Sequence, residues 1–139
     1  MTSNPLLKLL FSCLVCLAFA SAAQAETRVL VIGIDYVNAE DERMKLSNPV
    51  RDARQIGEAF DKAGVRNVQM VIEPTRETFR SELDRYVGTL GSEDVAVIYY
   101  AGHAVQYEGE NYIVSSDGTQ LINIIVILAP QRADIAIQL

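Results

Sequence analysis

Two apolar runs constrain this chain more than anything else in it. Arg28-Val-Leu-Val-Ile-Gly-Ile34 and Val95-Ala-Val-Ile-Tyr-Tyr100 lack the apolar-polar alternation of a half-exposed strand. Each predicts a strand covered on both faces, which places it in the middle of a mostly parallel sheet. The residues between them agree. Asn48 supplies an N-cap, Pro49 a first helical position, and Val50, Ala53, Ile56, Phe60 and Ala63 one helical stripe that Gly64 stops. Val68 to Ile72 reads as a shorter strand ended by Pro74. Thr75 caps a second helix with Glu77 in its first turn, and Phe79, Leu83, Tyr86, Val87 and Leu90 form its buried face. Strand, helix, strand, helix, strand predicts an α/β fold with right-handed crossovers.

Beyond the second run, Ala104-Val-Gln-Tyr107 and Tyr112-Ile-Val114 flank Glu108-Gly109-Glu110-Asn111 and predict a short hairpin. Leu121 to Ala129 is apolar apart from Asn123 and predicts a fourth strand of the sheet, without the crossover helix that should precede it. The sheet is therefore expected to be incomplete at its C-terminal end.

Residues 1–25 read as a signal peptide rather than as part of the fold. Met1 to Lys8 carries one positive charge, Leu9 to Ala20 is apolar apart from Ser12, and Ala23-Gln24-Ala25 has the small-x-small form of a cleavage site. The apolar stretch falls short of the roughly 20 residues of a bilayer span. Cleavage after Ala25 predicts an exported protein, periplasmic or secreted, of one domain over residues 26–139. Both cysteines, Cys13 and Cys16, leave with the leader, so no disulfide holds that domain. Its eleven basic and eighteen acidic residues give a net charge of −7, which argues against nucleic acid or an anionic membrane as partner.

In an open parallel sheet, sites form beyond the carboxyl ends of the strands. Asp35 and Tyr36 close the first strand and Gly102 and His103 the third, so both pairs are expected on one rim. His103 is the only histidine, and its imidazole can take or give a proton near neutral pH. Other patterns are weaker. Val31-Ile-Gly-Ile-Asp35 has one glycine where a dinucleotide loop needs three. No histidine-cysteine cluster exists for zinc. Glu40-Asp41-Glu42 reads as a solvated acidic loop ahead of a calcium site.

Tyr99-Tyr-Ala-Gly-His-Ala-Val-Gln106, followed by Gly109-Glu-Asn-Tyr-Ile113, resembles the histidine segment of caspases and metacaspases. Leu46-Ser-Asn-Pro-Val-Arg-Asp-Ala53 resembles a helix start of the bacterial caspase-like peptidases, and the resemblance spans about residues 28–117. It implies a cysteine endopeptidase acting on peptides or proteins, without a cofactor, though calcium activates many metacaspases. It implies that His103 is the general base and acid of a Cys-His dyad. The backbone N–H of Ala104 stands where the family donates to the oxyanion, and Asp52 where it lines the pocket that selects Arg or Lys. For Asp52, the residues alone favour a solvated carboxylate on a helix face. Ala101 replaces a serine frequent in the family.

The departure is the nucleophile. In caspases the cysteine follows the histidine by about 50 residues, whereas 36 residues follow His103 here and none is cysteine. In one account, Ile125-Val-Ile-Leu-Ala-Pro-Gln-Arg132 is a degenerate form of the cysteine-bearing strand, with Gln131 at the thiol's place. In the other, the sequence stops short of that strand, and Ala133 to Leu139 resembles the helix start before it. The domain is then an inactive peptidase as given; the alternative is a non-catalytic peptide-binding or regulatory module of the same fold.

Overall fold

The computed structural model describes residues 25–123 and 136–138. Strand β1 (Thr27–Gly33) lies at the centre, with β2 (Asn67–Ile72) on one side and β3 (Val95–Ala101) on the other, both parallel to it. With β7 (Ala136–Gln138) parallel beside β3, the sheet runs β2-β1-β3-β7. The fold is α/β, a mostly parallel sheet flanked by helices, as the two apolar runs predict. Successive side chains of β1 supply two cores because a strand alternates its faces. Val29 and Val31 pack with Ala53, Ile56 and Phe60 of α1 (Pro49–Lys62). Leu30 and Ile32 pack with Phe79, Leu83 and Tyr86 of α2 (Arg76–Gly88).

Close packing of α1 depends on one glycine. A Cβ at Gly33 would meet the Ala53 Cβ at 2.7 Å and the Pro49 carbonyl oxygen at 2.9 Å. On the other face, the buried Tyr86 hydroxyl lies 2.9 Å from the Arg28 carbonyl and 3.1 Å from that of Val97, so α2 is tied to β1 and β3 at once. At the amino end of the sheet, Asp94 accepts from Gly91 N–H at 2.8 Å, Arg28 Nε at 2.7 Å and Glu26 N–H at 3.0 Å. These bonds, the Gly91 amide foremost, hold its carboxyl down to about 2. They fix where β1 begins relative to β3.

Two expectations about the helices need correction. Asn48 precedes α1, but its side chain makes no capping bond; the Asp35 carboxylate, from the end of β1, accepts from Val50 N–H at 2.9 Å instead. Thr75 does cap α2, accepting from Thr78 N–H at 3.2 Å. Ala63 lies exposed at the end of α1, outside the buried stripe.

The predicted hairpin forms as β4 (Ala104–Tyr107) and β5 (Glu110–Val114), antiparallel. Leu121–Asn123, expected in a fourth strand of the main sheet, is instead β6 of a small antiparallel sheet ordered β4-β5-β6. Gly118, at φ 74°, and the Ser115–Gln120 backbone bond of 2.9 Å turn the chain straight back onto the edge of β5. The rest of that stretch, 124–129, lies outside the described residues, as do Gln131 and the proposed degenerate strand around it. Ala136–Gln138, read as part of a helix start, is strand β7. The open ladder of β3 offers three residues more hydrogen bonds than one costly helical turn.

Candidate functional site

The site is built on the carboxyl rim of β1 and β3. Ile34 N–H donates to the Ala101 carbonyl at 3.0 Å, so the two strands stay paired to the edge and release Asp35-Tyr36 and Gly102-His103 side by side. Asp35 is spent on structure. Its side chain caps α1, its N–H donates to the Glu73 carboxylate, and its carbonyl accepts from Leu46 N–H at 2.8 Å.

Tyr36 is fully buried and sits at φ 60°, a backbone region that a bulky side chain rarely occupies. Its ring packs on the His103 imidazole, with centroids 4.7 Å apart and planes tilted by 45°. His103 N–H donates to the Tyr36 hydroxyl at 2.8 Å, and the Tyr100 hydroxyl donates to the His103 carbonyl at 2.8 Å. Burial pushes both phenols up, so they remain neutral hydroxyls at physiological pH. Gly102 makes room for this. A Cβ there would stand 2.5 Å from the Tyr100 hydroxyl and 3.1 Å from that of Tyr36.

The imidazole is oriented from its far side. Nε2 of His103 lies 2.8 Å from the carbonyl oxygen of Met44, in a 3-10 turn (Glu42–Met44) anchored by Asp41. A carbonyl only accepts, so Nε2 must carry the proton. In the neutral ring Nδ1 is then the free base, and the same carbonyl stabilises the imidazolium once Nδ1 has been protonated.

Ala104 follows His103 and opens β4. It has no positive φ, so its Cβ brings no backbone strain. Val114 N–H donates to the His103 carbonyl at 3.1 Å, which makes His103 and Val114 a hydrogen-bonded position of the ladder. The next pair, Ala104 with Ile113, is then a non-hydrogen-bonded position, and the Ala104 N–H points away from β5 to the open edge. Asp52 occupies the first turn of α1, where a carboxylate suits the helix dipole. It is half-exposed, and its cationic neighbour is Arg51 at 3.7 Å. His103 and Ala104 are consecutive on the rim, and Asp52 lies in the first turn of α1, which Asp35 ties to the end of β1.

In the acidic loop, Asp41 is paired with Arg43 at 2.7 Å and Glu42 with Lys45 at 2.6 Å. Among the described residues no cluster of three histidine, cysteine, aspartate or glutamate side chains is gathered around a metal position. The parts of the site that the sequence left unread are the Tyr36 and Tyr100 hydroxyls and the Met44 carbonyl. Tyr100 stood inside the histidine segment and Tyr36 on the expected rim; the carbonyl has no side-chain signature at all.

Residues 26–131 match the family model of the caspase domain. No curated protein sequence matches the chain. Among solved structures it is similar to protein GSU0716 from Geobacter sulfurreducens, with a TM-score of 0.59 and 18% identity over 81% of this chain. At that identity the likeness speaks for the fold, and the chain spans 48% of that protein's length. With the family model covering three quarters of its residues, the chain belongs to the caspase-domain family of cysteine peptidase-like proteins.

Proposed function

We propose that residues 26–139 carry the histidine half of an exported caspase-type cysteine endopeptidase, selective for Arg or Lys before the scissile bond. The observation that supports it most is the orientation of His103. With Nε2–H donated to the Met44 carbonyl, Nδ1 is the one ring nitrogen able to take a proton from an attacking thiol. The resulting imidazolium then returns that proton to the leaving amine. Ala104 N–H, directed to the open edge, is the oxyanion donor, and Asp52 supplies the negative charge for a basic side chain.

The thiol this base would serve is not among residues 26–139, where cysteine does not occur. That observation favours a second reading, a caspase-fold module that binds basic peptides without cutting them. Both readings require the acidic pocket. Fluorescent peptides ending in Arg are therefore expected to bind more tightly than the same peptides ending in Glu. Asp52→Asn should reduce the Arg preference about twofold to fivefold, the scale of a half-exposed ion pair. Equal binding of both peptides would remove Asp52 from the site.

Export is part of the proposal. Residues 1–24, which hold most of the proposed leader, lie outside the described residues, and among the described residues no helix is long and apolar enough to cross a membrane. Mass spectrometry of the protein recovered from the periplasm or medium should find Glu26 at the N-terminus. Retention of Met1 there would contradict it.

A further inference from the structure

We infer that Tyr36 is a positioning residue for His103, its hydroxyl standing in for a missing backbone bond. The inference rests on His103 acting as the base and adds what holds it in place. In the β4–β5 ladder, His103 and Val114 should exchange two hydrogen bonds. One is made, from Val114 N–H to the His103 carbonyl at 3.1 Å. The other is interrupted. His103 N–H donates to the Tyr36 oxygen at 2.8 Å, and that hydroxyl lies 3.1 Å from the Val114 carbonyl, to which it donates. A phenol is thus inserted between the His103 N–H and the Val114 carbonyl, in the place of the direct bond between them.

Three observations make the insertion more than a packing accident. Tyr36 adopts φ 60°, a strained backbone for a non-glycine residue, and a residue stays there only where its surroundings demand it. Its hydroxyl is 3.0 Å from that of Tyr100, which donates to the His103 carbonyl, so two phenols hold the N–H and the carbonyl of one residue, on either side of its Cα. The loop that leaves Tyr36 also returns with Met44. Ala39 N–H donates to the Tyr36 carbonyl at 3.0 Å, and eight residues after Tyr36 the Met44 carbonyl meets Nε2. One loop therefore sets the backbone of His103 from below and its ring from the side.

Removing the Tyr36 hydroxyl frees the His103 N–H to reach Val114 directly. The histidine backbone then moves toward β5 and draws the ring off Met44. His103 is the only histidine, so its ring N–H proton is read without overlap by nitrogen-15 NMR of residues 26–139. In the parent protein this proton is expected to be visible at neutral pH, protected by the Met44 bond. In Tyr36→Phe it should be lost to solvent exchange, while Tyr86→Phe, which removes a buried hydroxyl on α2, should keep it. Tyr100→Phe leaves Val114 N–H on the His103 carbonyl and so retains the fold; there the ring proton should exchange about fivefold faster, as one ordinary hydrogen bond is worth. If Tyr36→Phe does not fold, the Tyr100→Phe rate decides alone. A ring proton equally protected in a folded Tyr36→Phe, or an unchanged rate in Tyr100→Phe, overturns the positioning role and leaves His103 as base untouched. A parent protein without the protected proton would instead remove the histidine reading itself.

Discussion

Purified residues 26–139 are expected to release no dye from peptide substrates ending in Arg or Lys, with calcium or without it. The expectation rests on magnitude. Removing the nucleophile from a protease with a comparable base and oxyanion hole costs about a million-fold in turnover. The proposed base, His103, has Nε2 on the Met44 carbonyl, but a base acts only on a proton it can reach, and residues 26–139 contain no thiol. His103→Ala should consequently change nothing measurable in the assay, although in a complete dyad the same substitution would be as damaging as loss of the cysteine. Calcium should not alter the result, since Asp41 and Glu42 are already paired with Arg43 and Lys45. Cleavage that His103→Ala abolishes would show that some other residue of this chain attacks, and would overturn the missing-nucleophile argument.

Tyr86→Ala should bring the domain close to its stability limit. The side chain is buried between α2 and the sheet, and its hydroxyl touches the carbonyls of both central strands. Truncating an aromatic residue of that kind costs about 3–5 kcal/mol, against a total of about 5–15 kcal/mol for a domain. Tyr86→Phe keeps the ring and loses a shared hydrogen bond, at about 1 kcal/mol. Urea denaturation should order the three proteins with unchanged slope and falling midpoint. An alanine variant within 1 kcal/mol of the parent would mean that α2 is not held by this contact. The phenol also gives a pH signature. Burial pushes Tyr86 up to about 12 in the folded protein, while in the unfolded chain it ionises near its ordinary value of about 10. Its contribution is therefore complete below about pH 10 and is lost as the pH rises through about 12. Tyr86→Phe, with nothing to ionise, should lack that part of the alkaline loss.

The elements that the sequence predicts best are those whose burial is periodic. β1, β2, β3 and both helices follow from apolar spacing, and the shared rim of Tyr36 and His103 follows from topology once the strands are parallel. What was not legible depends on partners far along the chain. The cap of α1 comes from Asp35 rather than from the adjacent Asn48, because the end of β1 delivers a carboxylate to that amide first. β6 and β7 pair with whichever open edge lies nearest, β5 or β3, and edges are not visible in local pattern. The site divides in the same way. His103 announces itself as the lone imidazole after a buried strand and a glycine. Tyr36 does not, since a left-handed backbone is ordinarily signalled by glycine or asparagine, and tyrosine breaks that rule. Met44 acts through its main chain, which every residue possesses.

His103 is proposed to stand ready as a base, with its proton on Nε2 and Nδ1 free. Nitrogen-15 chemical shifts and ring couplings of the single histidine of residues 26–139, measured on the neutral ring, decide it. A protonated Nε2 with a slowly exchanging proton on the Met44 carbonyl, and an unprotonated Nδ1, are expected. A proton on Nδ1, or a ring exchanging freely between both forms, would contradict it.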